Sequence, residues 1–123
     1  MKKLILLFLL LASCTKNKPL EYTSNLTQHG NEVPKSNELV NSFGGISWKR
    51  NDVGIYQGTY NEKWEGQINV VIDQTANGAQ MVRVNANNEH VQVYTYFWND
   101  EFKEWRFSDD VLLNTSVRML FFK

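Results

Sequence analysis

The sequence predicts an all-β domain, an antiparallel meander of about seven strands closing as a small barrel or a sandwich and preceded by one short helix. Three observations carry this reading. From residue 46 onward apolar and polar residues alternate with a period of two, the side-chain period of a strand. Clusters of Asn, Asp, Gly and Lys interrupt the alternation at about 8–15-residue spacing, as hairpin connections do. Aromatic residues are abundant, with four Trp, five Tyr and seven Phe among 123 residues, and such side chains favour a pleated, half-buried surface.

The elements follow in chain order. Residues 36–45 read as the helix: Ser36 is placed to cap free N–H groups and Glu38 suits the positive first turn. Leu39, Val40 and Phe43 share a helical face, and Gly44 supplies the stop. The strands are 46–50, 53–60, 64–73, 80–86, 91–98, 102–107 and 116–122. In the fourth, Val82, Val84 and Ala86 oppose Met81, Arg83 and Asn85. In the fifth, Val91, Val93, Thr95 and Phe97 oppose Gln92, Tyr94, Tyr96 and Trp98. A sheet of this size must curl or fold over to bury its apolar face. There is no internal repeat, and the length suits one domain.

The chain opens with Met1, Lys2 and Lys3, then nine apolar residues from Leu4 to Ala12. As a helix this run is about 13 Å long, too short for a hydrocarbon core of about 30 Å. It fits a cleaved signal segment over residues 1–13. Leu11, Ala12, Ser13 and Cys14 resemble the bacterial lipobox, the processing site of lipoproteins cut by signal peptidase II. The resemblance implies that Cys14 becomes the lipidated first residue, with diacylglycerol on its sulfur and an acyl chain on its amine. It further implies a place in the bacterial cell envelope. Thr15, rather than Asp, follows the cysteine, which by the same resemblance points to the outer membrane. Several acyl chains anchor firmly where one binds marginally, each buried CH₂ contributing about 0.8 kcal/mol.

Residues 14–35 read as lipidated Cys and flexible tether. They are polar, hold both prolines (Pro19 and Pro34), and show no sustained period; such composition resists ordering. The β domain is then 36–123. Without Lys2 and Lys3 the mature chain has 11 basic and 13 acidic residues, a net charge of −2. With no basic patch, nucleic acid is not the expected partner. Cys14 is the single cysteine, so no intramolecular disulfide can form.

Chemistry-bearing residues are sparse. The 73–78 stretch opens like a calcium loop but has Val84 where a bidentate acid is required, and it reads as a hairpin turn. His29 and His90, with no cysteine beside them, make no metal set, and no cofactor is expected. Glu101, Glu104, Asp109 and Asp110 gather near the last hairpin and read as a solvated acidic edge. No nucleophile has a base beside it, so the expectation is not an enzyme.

The aromatic excess is the stronger signal. With Val91, Val93 and Phe97 in the core, Tyr94, Tyr96 and Trp98 either face outward or form a second buried face of a closed barrel, and Trp105 lies across the predicted hairpin from Trp98. These four residues are the expected site for a protein or cell-wall partner, as in an inhibitor or an immunity protein. A second resemblance is to lipocalin-like barrels, in which a first-strand Trp packs under a last-strand Arg. It implies a pairing of Trp48 with Arg118 at a barrel floor, and a carrier of small apolar ligands as the alternative function.

Overall fold

A computed structural model describes residues 18–73 and 78–123. Cys14 and the leader lie outside the described residues, as does most of the turn expected at 73–78. Among the described residues the fold is all-β, with nine antiparallel strands in two sheets. They are β1 (Leu20–Thr27), β2 (Lys35–Asn41), β3 (Ile46–Asp52), β4 (Ile55–Tyr60), β5 (Gln67–Ile72), β6 (Gln80–Ala86), β7 (His90–Asn99), β8 (Glu104–Phe107) and β9 (Thr115–Phe122). One sheet runs β2-β1-β9-β5 and the other β3-β4-β7-β6, with β8 also pairing β7.

The last seven strands match the alternation in the sequence, but their order is not a meander. β9 inserts between β1 and β5, and β7 pairs β4 as well as β6. β5 and β6, expected as one hairpin, belong to opposite sheets. The sheets face each other without closing into a barrel.

Two N-terminal expectations are corrected. The tether assigned to 14–35 contains a central strand: β1 pairs β2 on one side and β9 on the other. Tyr22, Ser24 and Leu26 of β1 are wholly buried. Its alternation was hidden because the middle inward residue is a serine. The helix expected over 36–45 is replaced by β2 in its first part. The ladder slips between Thr23, which faces Val40, and Ser24, which faces Glu38. This bulge at Leu39 leaves two apolar residues in succession, breaks the period of two and imitates a helical face. Leu39 and Val40 are in fact exposed.

The core lies between the sheets. Tyr22, Leu26, Ile72, Val117, Met119 and Phe121 come from one sheet, and Ile46, Tyr56, Tyr60, Val82, Val91 and Val93 from the other. Val111 and Leu112, from the link between β8 and β9, close one end. Fully burying a large apolar side chain contributes about 1.5–3 kcal/mol, so this set is the main source of stability.

Polar groups also cross the gap. Trp48 Nε1 donates to the Tyr22 hydroxyl at 3.2 Å, and that oxygen lies 2.8 Å from Ser36 Oγ. Trp48 therefore points inward, but it lies on β3, the third strand and not the first, and Arg118 does not meet it. Arg118 lies on the outer face of β9 and pairs with Glu21 at 3.1 Å. The pairing implied by the lipocalin resemblance is not made, because alternation on β9 directs Val117 and Met119 inward and leaves Arg118 outside.

The registers define two ends. Leu20, Phe43, Tyr60, Trp64 and Phe121 lie at one end, tied by ring contacts such as Phe43 on Phe121 at 3.7 Å. Gln28, Arg50, Tyr56 and Asp109 meet at the other, where the β7–β8 hairpin departs.

Candidate binding surface

β7 changes partner part-way along its length. Its first half pairs β4 up to Tyr94, and its last residues, from Tyr96, pair β8 on the same edge. Thr95 is the junction. Its N–H donates to the Gly54 carbonyl at 2.8 Å, and its own carbonyl accepts from Ser108 N–H at 2.9 Å. Its buried hydroxyl donates to the Ser108 carbonyl at 2.6 Å. Gly54, at φ +66°, fits this junction because a Cβ there would lie 2.5 Å from the Thr95 carbonyl oxygen.

Beyond Thr95 the opposite sheet no longer covers β7. Phe97 has the parity of buried Val91 and Val93 yet is 48% exposed. The hairpin thus presents two open faces.

The first face carries the residues expected from the sequence. Tyr94, Tyr96 and Trp98 are half-buried, and Trp105 is exposed. Trp98 and Trp105 are directly opposed in the ladder, with ring centroids 5.3 Å apart and planes at 67°. Tyr96 faces Phe107, their rings 4.8 Å apart at 26°. Tyr94 lies 6.3 Å from the same Phe107. All four expected residues therefore share one continuous surface.

Sequence reading missed three members of that surface. Phe107 completes the aromatic row, Met81 lies opposite Tyr96, and Ile55 lies opposite Tyr94. Opposed residues share a face of the sheet, so the register identifies them. For Phe107 the period-two spacing from Trp105 was an available signal; for Ile55 and Met81 only the pairing reveals it. The second face holds Phe97, Phe102 and Arg106, whose guanidinium sits 4.3 Å from the Phe102 ring centre.

The tip is tied by polar contacts. Trp98 Nε1 donates to Asp100 Oδ1 at 3.0 Å, and Asn99 Oδ1 accepts from Phe102 N–H at 3.0 Å. Arg106 Nε donates to Glu104 Oε1 at 2.8 Å. Lys103 takes a positive φ of 54° in the turn.

The base is held by Asp109, which alone departs from the expected solvated acidic edge; Glu101, Glu104 and Asp110 are exposed. Its carboxylate accepts from Arg50 Nη2 at 2.7 Å, from Gly54 N–H at 3.0 Å and from the Tyr56 hydroxyl at 2.6 Å. Partial burial alone would raise the Asp109 pKa, but these donors, Arg50 first, hold it below the usual carboxylate range. Asp109 is one residue from the end of the Ser108 clamp, so the same contacts fix the hairpin on the sandwich. Three of the four hydrogen bonds this carboxylate accepts converge on Oδ1 and the fourth ends on Oδ2, and all four come from groups of the fold.

Comparisons with protein-family models, with curated proteins and with solved structures find no match to this chain.

Proposed function

We propose that the protein is a lipid-anchored component of the bacterial envelope, held in the outer membrane by Cys14, and that its β domain is a binding module without enzymatic activity. The reading is supported above all by the aromatic face of the β7–β8 hairpin. Tyr94, Tyr96, Trp98, Trp105 and Phe107 form one connected surface on a rigid element clamped at its base. Tyr and Trp bring large contact area at low entropic cost and dominate the energetics of protein contacts.

Ring geometry favours a protein partner over a cell-wall glycan. Stacking along a sugar chain calls for successive rings lying in one plane. Here Trp98 and Trp105 meet edge to face, and Phe107 tilts by 42° against Tyr94. An irregular aromatic relief suits the side chains of a protein, in the manner of an inhibitor or an immunity protein. The carrier alternative has less support, since the space between the sheets is filled by Tyr22, Tyr56, Met119, Phe121 and their neighbours.

The test is photocrosslinking from the intact protein in its own membrane. A photoreactive residue at position 105 is expected to capture a discrete protein, and one at exposed Val71, on the other sheet, is expected not to. Replacing Trp98 and Tyr96 with Ala is expected to abolish the capture from 105. Equal capture from both positions, or capture indifferent to Trp98 and Tyr96, overturns the assignment.

A further inference from the structure

We infer that the domain stands on the bilayer by the end remote from the aromatic hairpin, with a cleft beside Leu20 facing the lipid headgroups. The inference rests on the lipidation of Cys14 proposed above and adds the surface that meets the membrane.

Chain length is the first argument. Because β1 begins at Leu20, only six peptide steps separate the domain from Cys14. Whatever path they take, six residues span at most about 20 Å. The tether is too short to let the domain turn over freely, so the face around Leu20 stays next to the lipid.

The character of that face is the second. A cleft of about 780 Å³ opens there, lined by Leu20, Phe43, Asn61, Lys63, Trp64 and Lys123 among others. Phe43 and Trp64 form an aromatic floor, stacked and edge-on against Phe121. Lys63 and Lys123 stand on the rim, with exposed Lys18 just before β1. Trp beside Lys, an apolar body with polar tips, is the combination that settles at a membrane–water interface. Glu62 and Glu65 share the rim and offset the lysines, so the leash and the aromatic floor set the orientation, and net charge contributes little.

The rim is firmly built. Trp64 Nε1 donates to the Phe122 carbonyl at 3.2 Å, and its N–H donates to Asn88 O at 2.8 Å. Gly66 lies so close to the end of β9 that a Cβ there would overlap the Phe122 carbonyl oxygen. The loop carrying Lys63 and Trp64 is thereby pressed onto the sandwich.

The registers place the hairpin at the far end. His90 of β7 lies beside Thr59, near the cleft, and Asn99 begins the hairpin turn. Nine strand steps make roughly 30 Å. Anchoring at Leu20 therefore presents Trp98 and Trp105 away from the lipid, where a partner can reach them.

Spin labels on the full-length, processed protein test this. With diacylglycerol on the Cys14 sulfur, a single introduced cysteine is the only free thiol of the protein. Lys63→Cys and Lys103→Cys variants are each purified in processed form, labelled, returned to vesicles of envelope lipid and measured against lipid-soluble and water-soluble relaxants, at low and high salt. The label at 63 is expected at the headgroup layer and that at 103 in water, unchanged by salt. Mass spectrometry of the N-terminal peptide is run on the same samples. A lipidated Cys14 with the two labels equally wet, or with 103 the deeper, overturns the orientation alone. A Cys14 without lipid overturns the anchor and the orientation together.

Discussion

The Tyr56 hydroxyl lies 2.6 Å from Oδ1 of Asp109, and this bond joins the second sheet to the link that follows the aromatic hairpin. The phenol also approaches Gln28 Oε1 at 2.8 Å. Gln28 is itself wholly buried, and it donates through Nε2 to the carbonyls of Gly30 and Glu32. One proton faces two acceptors, and the ionised carboxylate is the stronger. Tyr56→Phe strips that donor from a buried network and is expected to cost about 1–2 kcal/mol. Asp109→Ala removes the acceptor of Arg50 as well and is expected to cost more than Tyr56→Phe. Urea denaturation of the processed protein measures both, and equal, negligible losses would show that the network carries no stability.

The same network sets the response to acid. Asp109 titrates below its ordinary range in the folded chain because Arg50, Tyr56 and Gly54 N–H favour the carboxylate against partial burial. A depressed folded pKa means stability that is present above the unfolded value, about pH 4, and lost as pH falls through the folded value. Stability is expected to decline below about pH 4, and Asp109→Asn is expected to flatten that decline. Glu21 is also lowered, by Thr23 first and then Arg118, but it sits at the surface, where such pairs contribute little. Glu21→Gln is accordingly expected to leave the acid limb almost unchanged.

Two glycines separate backbone strain from crowding. Gly54 and Gly30 both have positive φ, +66° and +54°. At Gly30 a Cβ would meet nothing within 4 Å, and at Gly54 it would lie 2.5 Å from Thr95 O and 2.7 Å from Ser108 N. Gly30→Ala pays only the conformational penalty, about 1 kcal/mol. Gly54→Ala must also push the β8 junction away from β7, and is expected to cost at least about 3 kcal/mol. The hairpin rests on that junction, so Gly54→Ala should also weaken capture of a partner from position 105, while Gly30→Ala should not. Thermal unfolding and the crosslinking yield report the two effects.

A chain starting at Ser36 separates what was legible in the sequence from what was not. Most strands from Ile46 onward could be read because apolar side chains recur at their inward positions, as Tyr56 and Tyr60, Val82 and Val84, Val91 and Val93, and Val117, Met119 and Phe121 do. β1 escaped because Ser24 occupies an inward position and, with the Tyr22 hydroxyl, contacts Ser36 instead of apolar neighbours. β2 escaped because its bulge shifts the period. The aromatic site was readable for the same reason as its strands: Tyr94, Tyr96 and Trp98 keep one parity, and Trp105 returns on the facing arm. Its base was not, since the role of Asp109 depends on Arg50 and Tyr56, 59 and 53 residues away. Pairing between distant segments leaves no local pattern. The Ser36 start removes Tyr22, Leu26 and Gln28 and exposes the edge of β9. It is expected to be unfolded by circular dichroism and amide dispersion, whereas a start at Lys18 is expected to keep the full structure.

Tyr60 offers a stabilising change. Its hydroxyl is buried and has no hydrogen-bond partner among the described residues. The ring meets Phe43 and Phe121 edge-on at 5.5 and 5.6 Å. Tyr60→Phe preserves those contacts and relieves an unsatisfied polar group, whose burial costs about 1–3 kcal/mol. A gain of about 1 kcal/mol is expected, opposite in sign to Tyr56→Phe, although both remove one phenol oxygen from the same strand. The alkaline limb gives a second readout. Burial pushes the Tyr60 pKa above its ordinary value, so the neutral phenol is favoured in the fold. That stability is full below the unfolded value, about pH 10, and is lost as pH rises toward the folded one. Tyr60→Phe should therefore unfold less readily above about pH 10. Denaturant midpoints at neutral and alkaline pH decide the matter, and a lower midpoint for Tyr60→Phe at neutral pH would show that the hydroxyl is bonded after all.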